Sequence, residues 1–307
     1  MISQAYRAQV DLLLRILPHV ATESSFALKG GTAINLFVRD LPRFSVDIDL
    51  TYLPFDGRTA ALQNISDALG RIKDRLEKSI PGIAARTLRQ SDAQEAKLVC
   101  TLQAALVKVE VNTVLRGHLW PARQMQTTQA VQDEFQKFAT IQVVSHAEIF
   151  GGKICAALDR QHPRDLFDIR QIFEHEGISE DVRLGVIVFL LSHSRPIHEL
   201  IRPHFQDQRS AFDTQFAGMA IEPFTYADFD AARERLVQEI HAFLTDNDRN
   251  FLIGFKTGEP DWSLFPLEKL QAMPAVQWKL SNIRKLKKQN PGKHAQQLEA
   301  LKVSLSG

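Results

Sequence analysis

Apolar residues recur at helical spacing from the start of the chain. Val10, Leu13, Leu14, Ile16 and Leu17 fall on one face, and Pro18 ends or bends the segment. Phe26-Ala27-Leu28 is short and apolar, Gly30-Gly31 follows, and a second helical pattern through Ala33, Leu36 and Phe37 breaks at Leu41-Pro42. Residues 45 to 52, SVDIDLTY, then alternate with period two, as a half-buried strand does. A helix is predicted over residues 59 to 79, with Leu62, Ile65, Leu69, Ile72 and Leu76 on one face. Two β-like runs come next, residues 97–102 and 106–114. Past about residue 145 helical patterns dominate, punctuated by Pro163, Gly177, Pro196, Pro203, Pro223 and Pro274. The pattern predicts an α+β chain: an N-terminal domain of strands and helices over residues 1–144, then a helical domain over 145–307. No internal repeat or low-complexity segment interrupts it.

Composition narrows the class. A chain of 307 residues with 44% hydrophobic content can bury the cores of two domains. A net charge of +1 makes any nucleic-acid surface a local patch. Cys100 and Cys155 both lie in apolar stretches, which suits buried thiols in a reducing cytoplasm better than a disulfide framework. The first residues, MISQAYRAQVDLLLRIL, read as an amphipathic helix without the layout of a signal peptide. The longest apolar run, Val186 to Leu191, is too short to span a bilayer. The expectation is a cytoplasmic protein with no membrane partner.

Candidate chemistry begins at Asp47-Ile48-Asp49. Side chains two apart on a strand share a face, so the two carboxylates stand together while Val46, Ile48 and Leu50 enter the core. Such neighbours repel unless a cation lies between them, and hard oxygen donors suit Mg²⁺ or Mn²⁺. An exposed edge strand with an acidic face would give the same triplet. Gly30-Gly31 changes the weighing, because glycines at a strand-to-helix junction let backbone approach a ligand. The N–H groups of the helix starting near Thr32 favour an anion such as phosphate, and Lys29 adds a charge. A plain turn with a threonine cap is the competing explanation. In Leu106 to Asn112, Lys108, Glu110 and Asn112 share one face and three valines the other, so Glu110 is a candidate third carboxylate. Two-metal phosphoryl transfer holds its ions about 3.5–4 Å apart with such groups. A solvated strand position explains Glu110 nearly as well.

The run Lys29-Gly30-Gly31-Thr32-Ala33, then Arg43-Phe44-Ser45, then Asp47-Ile48-Asp49-Leu50, resembles the nucleotidyltransferase signature of the AbiEii/AbiGii toxin family, of the DNA polymerase β-like superfamily. Residues 148–153, EIFGGK, and 163–168, PRDLFD, are similar to that family's helical motif, and residues 260–262 and 274–282 to the C-terminal region of one subgroup. The resemblance implies a polymerase β-like domain, a mixed sheet with flanking helices, followed by an α-helical domain. It implies Asp47 and Asp49 as metal ligands, and Gly31 and Thr32 at the nucleotide phosphates, with Lys29, Gly30 and Ser45 beside them. It also implies a functional lysine matching Lys153 and an aspartate best matched by Asp165, with Asp168 close by. Such proteins are typically toxins encoded beside an antitoxin, and some transfer nucleotides onto the 3′ end of tRNA. This chain departs in a long gap from Gly31 to Asp47, and in Glu110 where aspartate is more usual.

Read by themselves, the helical residues leave alternatives. Lys153 lies off the stripe formed by Phe150, Ile154 and Leu158 and is expected to reach a phosphate, or to be an ordinary solvated lysine. Gly151-Gly152 suggests close packing against the first domain or close approach of substrate. Asp165 suits a helix N-cap and Asp168 a local salt bridge. Residues 279–294, KLSNIRKLKKQNPGKH, gather Lys279, Arg284, Lys285, Lys287, Lys288, Lys293 and His294 beside Trp278, an RNA-backbone patch or a solvated charged helix. Ten histidines and two cysteines form no zinc spacing, and no GxSxG occurs. The function these residues favour is metal-dependent nucleotidyl transfer to RNA by a toxin. The alternatives are transfer to a small-molecule or protein hydroxyl, or nucleotide binding without turnover.

Overall fold

Strands in the first half of the chain form one mixed sheet in this computed structural model, which describes residues 3–88 and 95–306. Met1, Ile2 and Gly307, included in the segments read above, lie outside the described residues. The strands are β1 (Phe26–Lys29), β2 (Asp47–Tyr52), β3 (Ala84–Leu88), β4 (Glu95–Leu102), β5 (Ala105–Asn112), β6 (Arg123–Gln126) and β7 (Thr140–Val143). Their spatial order is β3-β4-β5-β2-β1-β7-β6. The central pairs β2–β5 and β1–β7 are parallel, and β1–β2 and the outer pairs antiparallel. Helices α1 (Gln4–Val20), α2 (Gly30–Ala33), α3 (Arg58–Ser79) and α4 (Gln129–Phe135) accompany them, α2 running on as a wider π turn, Ile34–Val38.

Period-two alternation sorts the sheet into faces. Ile48 and Leu50 of β2 and Val107, Val109 and Val111 of β5 are fully buried. The polar positions between them, Asp47, Asp49, Lys108 and Glu110, are not. On α1, seven apolar residues from Val10 to Val20 are buried, and Pro18 sits in its last turn. Ile65, Leu69, Ile72 and Leu76 of α3 are buried with Ala61 and Ala68. Glu23 accepts hydrogen bonds from Arg71 and Arg75 of α3. Burial alone would raise its carboxyl, but the two guanidiniums hold it below its ordinary value.

The chain folds into two compact units, Met1–Ser145 with Phe216–Pro223, and His146–Gln215 with Phe224–Gly307. The short return to the first unit braces the chain entering β2. Phe44 N–H donates to the Met219 carbonyl (2.9 Å), and Ile221 N–H to the Pro42 carbonyl (2.9 Å).

The second unit is helical among its described residues: α5 (His146–Arg160), α6 (Pro163–His175), α7 (Glu180–Ser192), α8 (Ile197–Ile201), α9 (Arg209–Ala211), α10 (Tyr226–Phe243), α11 (Asp246–Thr257), α12 (Pro274–Gln289) and α13 (Pro291–Leu305). Ser179 caps α7, and reciprocal capping boxes, Thr225 with Asp228 and Thr245 with Asp248, open α10 and α11. The apolar run of α7 is core: Val186, Ile187, Val188, Leu190 and Leu191 are buried. No helix among the described residues is long and apolar enough to cross a membrane.

Several elements differ from the sequence expectation. β1 and β7 have four residues each, too few for a period to register. β6 (RQMQ) is a polar edge strand, and the edge strand β3 is mostly exposed. The strand expected from Ser45 begins at Asp47. The helix expected to follow an Asp165 N-cap begins at Pro163, where a proline without an N–H fits the first turn.

Candidate active site

The register of the sheet aligns the predicted acids. Asp49 of β2 lies opposite Lys29 of β1 on one side and Glu110 of β5 on the other, and Glu110 lies opposite Lys97 of β4. One row across four strands therefore reads Lys29, Asp49, Glu110, Lys97. A second row pairs Asp47 with Lys108. Paired positions on neighbouring strands share a face, so two adjacent carboxylates are bracketed by lysines. Lys97 Nζ and Glu110 Oε1 form an ion pair at 3.0 Å.

Gly30 explains how a loop can sit against this row. Its φ is +71°, and a Cβ built there would lie 2.6 Å from Asp49 Oδ2 and 3.2 Å from Asp49 Cβ. The backbone thus occupies space that any other residue would take from the Asp49 carboxylate. At Gly31 a Cβ would lie 2.8 Å from an Arg43 guanidinium nitrogen and 3.1 Å from Ser45 Oγ. Thr32, fully buried, places its hydroxyl 2.9 Å from Ser45 Oγ and against the Asp47 carbonyl oxygen. Asn35 Nδ2 donates to the Gly31 carbonyl at 2.9 Å. Thr32 and Ser45 therefore tie the glycine loop to the strand that carries the aspartates, and the helix begins at Gly30, not at Thr32.

Arg43 belongs to the run that carries the family resemblance, and the sequence alone gives it no role. It is 2% exposed; its guanidinium packs on Gly31, donates to the Phe44 carbonyl at 2.8 Å and lies 3.9 Å from Met219 Sδ. Lys97 was likewise missed. An arginine in the loop ahead of a strand carries no local signal. The available signal for Lys97 is its place in the β-like run 97–102, which only a short stretch separates from the run that carries Glu110.

Among the described residues, no group of three or more His, Cys, Asp or Glu gathers as a ready metal cage. Mg²⁺ characteristically uses one or two carboxylates, completed by waters and substrate phosphates. Asp47 and Asp49 on one strand face fit that demand, with Gly30 keeping the space before Asp49 clear of a side chain.

In the second unit, Lys153 of α5 forms ion pairs with Asp165 (2.8 Å) and Asp168 (2.9 Å) of α6. Lys153 is 6% exposed and both carboxylates 1%. The lysine expected off the apolar stripe is thus buried: Ile149, Phe150 and Ala157, at i−4, i−3 and i+4, flank it on the helix and are themselves buried. Arg160 adds a further pair with Asp165. Burial alone would raise the Asp165 carboxyl, but the charges of Lys153 and Arg160 outweigh it and hold the carboxyl well below the ordinary range. Asp165 is not the N-cap of α6; His162 is, its side chain accepting from Arg164 N–H. Gly151 is packed against α7: a Cβ there would lie 2.4 Å from the Gly185 carbonyl carbon.

The basic stretch divides. Lys279 is buried and donates to the carbonyls of Leu190, His193 and Arg195 at 2.8–2.9 Å. Burial pushes its ammonium down to about 7. His294 is buried against the Lys256 carbonyl, and Arg284 donates to the Gly258 carbonyl. Trp278, Lys285, Lys288 and Lys293 are exposed.

The family model described as nucleotidyl transferase AbiEii toxin, type IV toxin–antitoxin system, matches residues 11–282. No curated protein sequence matches the chain. Among solved structures, the fold is similar to that of MenT4, a nucleotidyltransferase toxin from Mycobacterium tuberculosis H37Rv. That likeness has a TM-score of 0.61 at 14% identity and covers 91% of this chain and 93% of the other.

Proposed function

Because the chain belongs to the AbiEii family of nucleotidyltransferase toxins of type IV toxin–antitoxin systems, we propose that it transfers a nucleoside monophosphate from a nucleoside triphosphate to RNA, with the 3′ end of tRNA as acceptor. The acceptor hydroxyl oxygen bonds to the α-phosphorus. The bond from that phosphorus to the bridging oxygen breaks, and pyrophosphate leaves. The seating of Asp49 against Gly30, within the row Lys29, Asp49, Glu110 and Lys97, carries this reading. It combines a loop open to close approach with paired carboxylates.

Asp47 and Asp49 are assigned as ligands of Mg²⁺ or Mn²⁺, which when bound neutralises phosphate charge and lowers the pKa of the attacking hydroxyl. Lys29 and the Gly30–Gly31 backbone hold phosphate oxygens, while Thr32, Ser45 and Arg43 fix that loop. Glu110, ion-paired with Lys97, accepts the hydroxyl proton. For Lys153 the resemblance supports a phosphate contact; its ion pairs make Asp165 and Asp168 the groups that position it. Residues 1–144 are assigned as the nucleotidyltransferase domain and 145–307 as its helical companion. A cognate antitoxin controls the protein in the cytoplasm, where triphosphates and tRNA are available.

Incubation with labelled nucleoside triphosphates, Mg²⁺ and total RNA tests the assignment. Wild type is expected to label the tRNA fraction and Asp49→Ala to lose at least about 100-fold, the scale of a misplaced reacting group. Equal labelling by both would refute it, and label confined to small-molecule or protein fractions would refute the acceptor.

A further inference from the structure

The second unit carries a pocket of about 200 Å³ between the chain entering α8 and helices α11, α12 and α13, lined by Arg195, Lys256, Trp278, Lys279, Asn282 and Gln297 among others. Among the described residues, no acidic one lines it. Lys256 is 6% exposed, and its Nζ donates to Gln297 Oε1 at 2.6 Å, its one hydrogen bond among the described residues. An ammonium has three donors, and a buried one left partly unpaired is destabilising, so the site suits an incoming acceptor of negative charge. Lys279 differs, since three backbone carbonyls take its three donors. Arg195 is shared with Asp159 and Glu199, so Lys256 is the cation with capacity to spare. Trp278 lines the same pocket at 43% exposure, an aromatic face open to stacking. Asn282 and Gln297 supply amide groups that can both donate and accept.

We propose that this pocket binds one unpaired nucleotide of an RNA strand, its base stacked on Trp278 and its phosphate on Lys256. Aromatic stacking beside a cation is how sequence-tolerant single-strand sites hold bases. The pocket is smaller than the roughly 300–1,000 Å³ of a typical small-molecule site. That favours a single unit of a polymer over a free triphosphate. The inference rests on RNA as the acceptor in the reading above, and it adds a binding determinant outside the residues assigned to catalysis.

Fluorescence anisotropy of a labelled eight-nucleotide single-stranded RNA, without triphosphate, tests it on the full chain. Trp278→Ala, with thermal melting checking that it is folded, is expected to weaken binding at least about five-fold, the lower end of one lost base stack. Lys256→Gln is expected to weaken it as well, with thermal melting checking that this buried variant is folded. Wild-type affinity in Trp278→Ala overturns the proposal even where RNA labelling persists, so the pocket and the acceptor assignment fail separately. Adenosine monophosphate that displaces RNA from wild type supports the nucleotide chemistry with a free mononucleotide as its source. No displacement by the mononucleotide, with Trp278→Ala still weakened, supports the RNA strand. Displacement by inorganic phosphate at the same concentration overturns it, because no base would then be needed.

Discussion

Gly30→Ala isolates the contact on which the candidate active site depends. Alanine at φ +71° is strained by about 1–2 kcal/mol whatever surrounds it. Its Cβ would also lie 2.6 Å from Asp49 Oδ2, 3.2 Å from Asp49 Cβ and 3.3 Å from Asp49 Cγ, so rotation of the carboxyl tip relieves only part of the clash. Either the loop lifts or Asp49 moves by several tenths of an ångström. The first unit has about 150 residues, so ~1–3 kcal/mol of strain corresponds to a fall in Tm of about 2–12 °C. A displacement approaching 1 Å at a reacting centre costs about 100-fold in rate. Labelling of RNA by Gly30→Ala, measured well below its Tm, is expected to fall by about that factor. Gly57→Ala is the control for the rate: nothing lies within 4 Å of its added Cβ, and its labelling should match wild type. Wild-type labelling by a folded Gly30→Ala protein would refute the reasoning, since Asp49 could then move without consequence.

Lys153→Met removes the shared cation of two nearly inaccessible carboxylates. Breaking a buried pair costs about 3–5 kcal/mol, and Arg160 keeps a partner for Asp165, which puts the expectation near the lower end. Urea unfolding should show it, and a loss under ~1 kcal/mol would mean that the cluster is not a structural unit. Acid should act through the same group. The Asp165 carboxyl is held below its ordinary value in the folded protein, so its contribution is complete above the unfolded value of about 3.9 and is lost as pH falls through that value toward the folded one. Between pH 5 and 3 the Tm of wild type should drop more steeply than that of Asp165→Asn; parallel curves would refute the assignment.

Period-two alternation was enough to put Asp47 with Asp49 and Glu110 with Lys108 on polar faces, because each strand settles its own sides. It could not place β2 beside β5, since that adjacency is parallel and involves residues about sixty apart. The register Asp49 to Glu110 is therefore a finding of the fold. Arg43 was invisible for a similar reason: the segment that braces it, around Met219, is 176 residues away. Lys279 was misread although a signal existed. Val276, Lys279, Leu280 and Ile283 follow the 3, 4, 7 spacing of a buried stripe, and all four are buried. The density of neighbouring lysines and arginines suggested a solvent face, and helical phase was the better guide.

The two glycine pairs show why a motif has to be resolved into contacts before it is given a role. At Gly30 and Gly31 the absent Cβ atoms make room for side chains, the Asp49 carboxylate, the Arg43 guanidinium and the Ser45 hydroxyl, all polar. At Gly151 the absent Cβ makes room for the backbone of α7, and Gly185 on α7 answers with its own missing Cβ, which would lie 2.1 Å from the Ala147 carbonyl oxygen. Backbone cannot rotate aside as a side chain can, so this second contact sets the separation of α5 and α7 and admits no larger residue on either helix. The helix so placed is the one that carries Lys153, and α6, which follows it, carries the two aspartates that hold the ammonium. The first pair therefore shapes a site directly, whereas the second shapes a frame. Substitution at Gly151 or Gly185 acts on the ion-pair cluster by moving a whole helix.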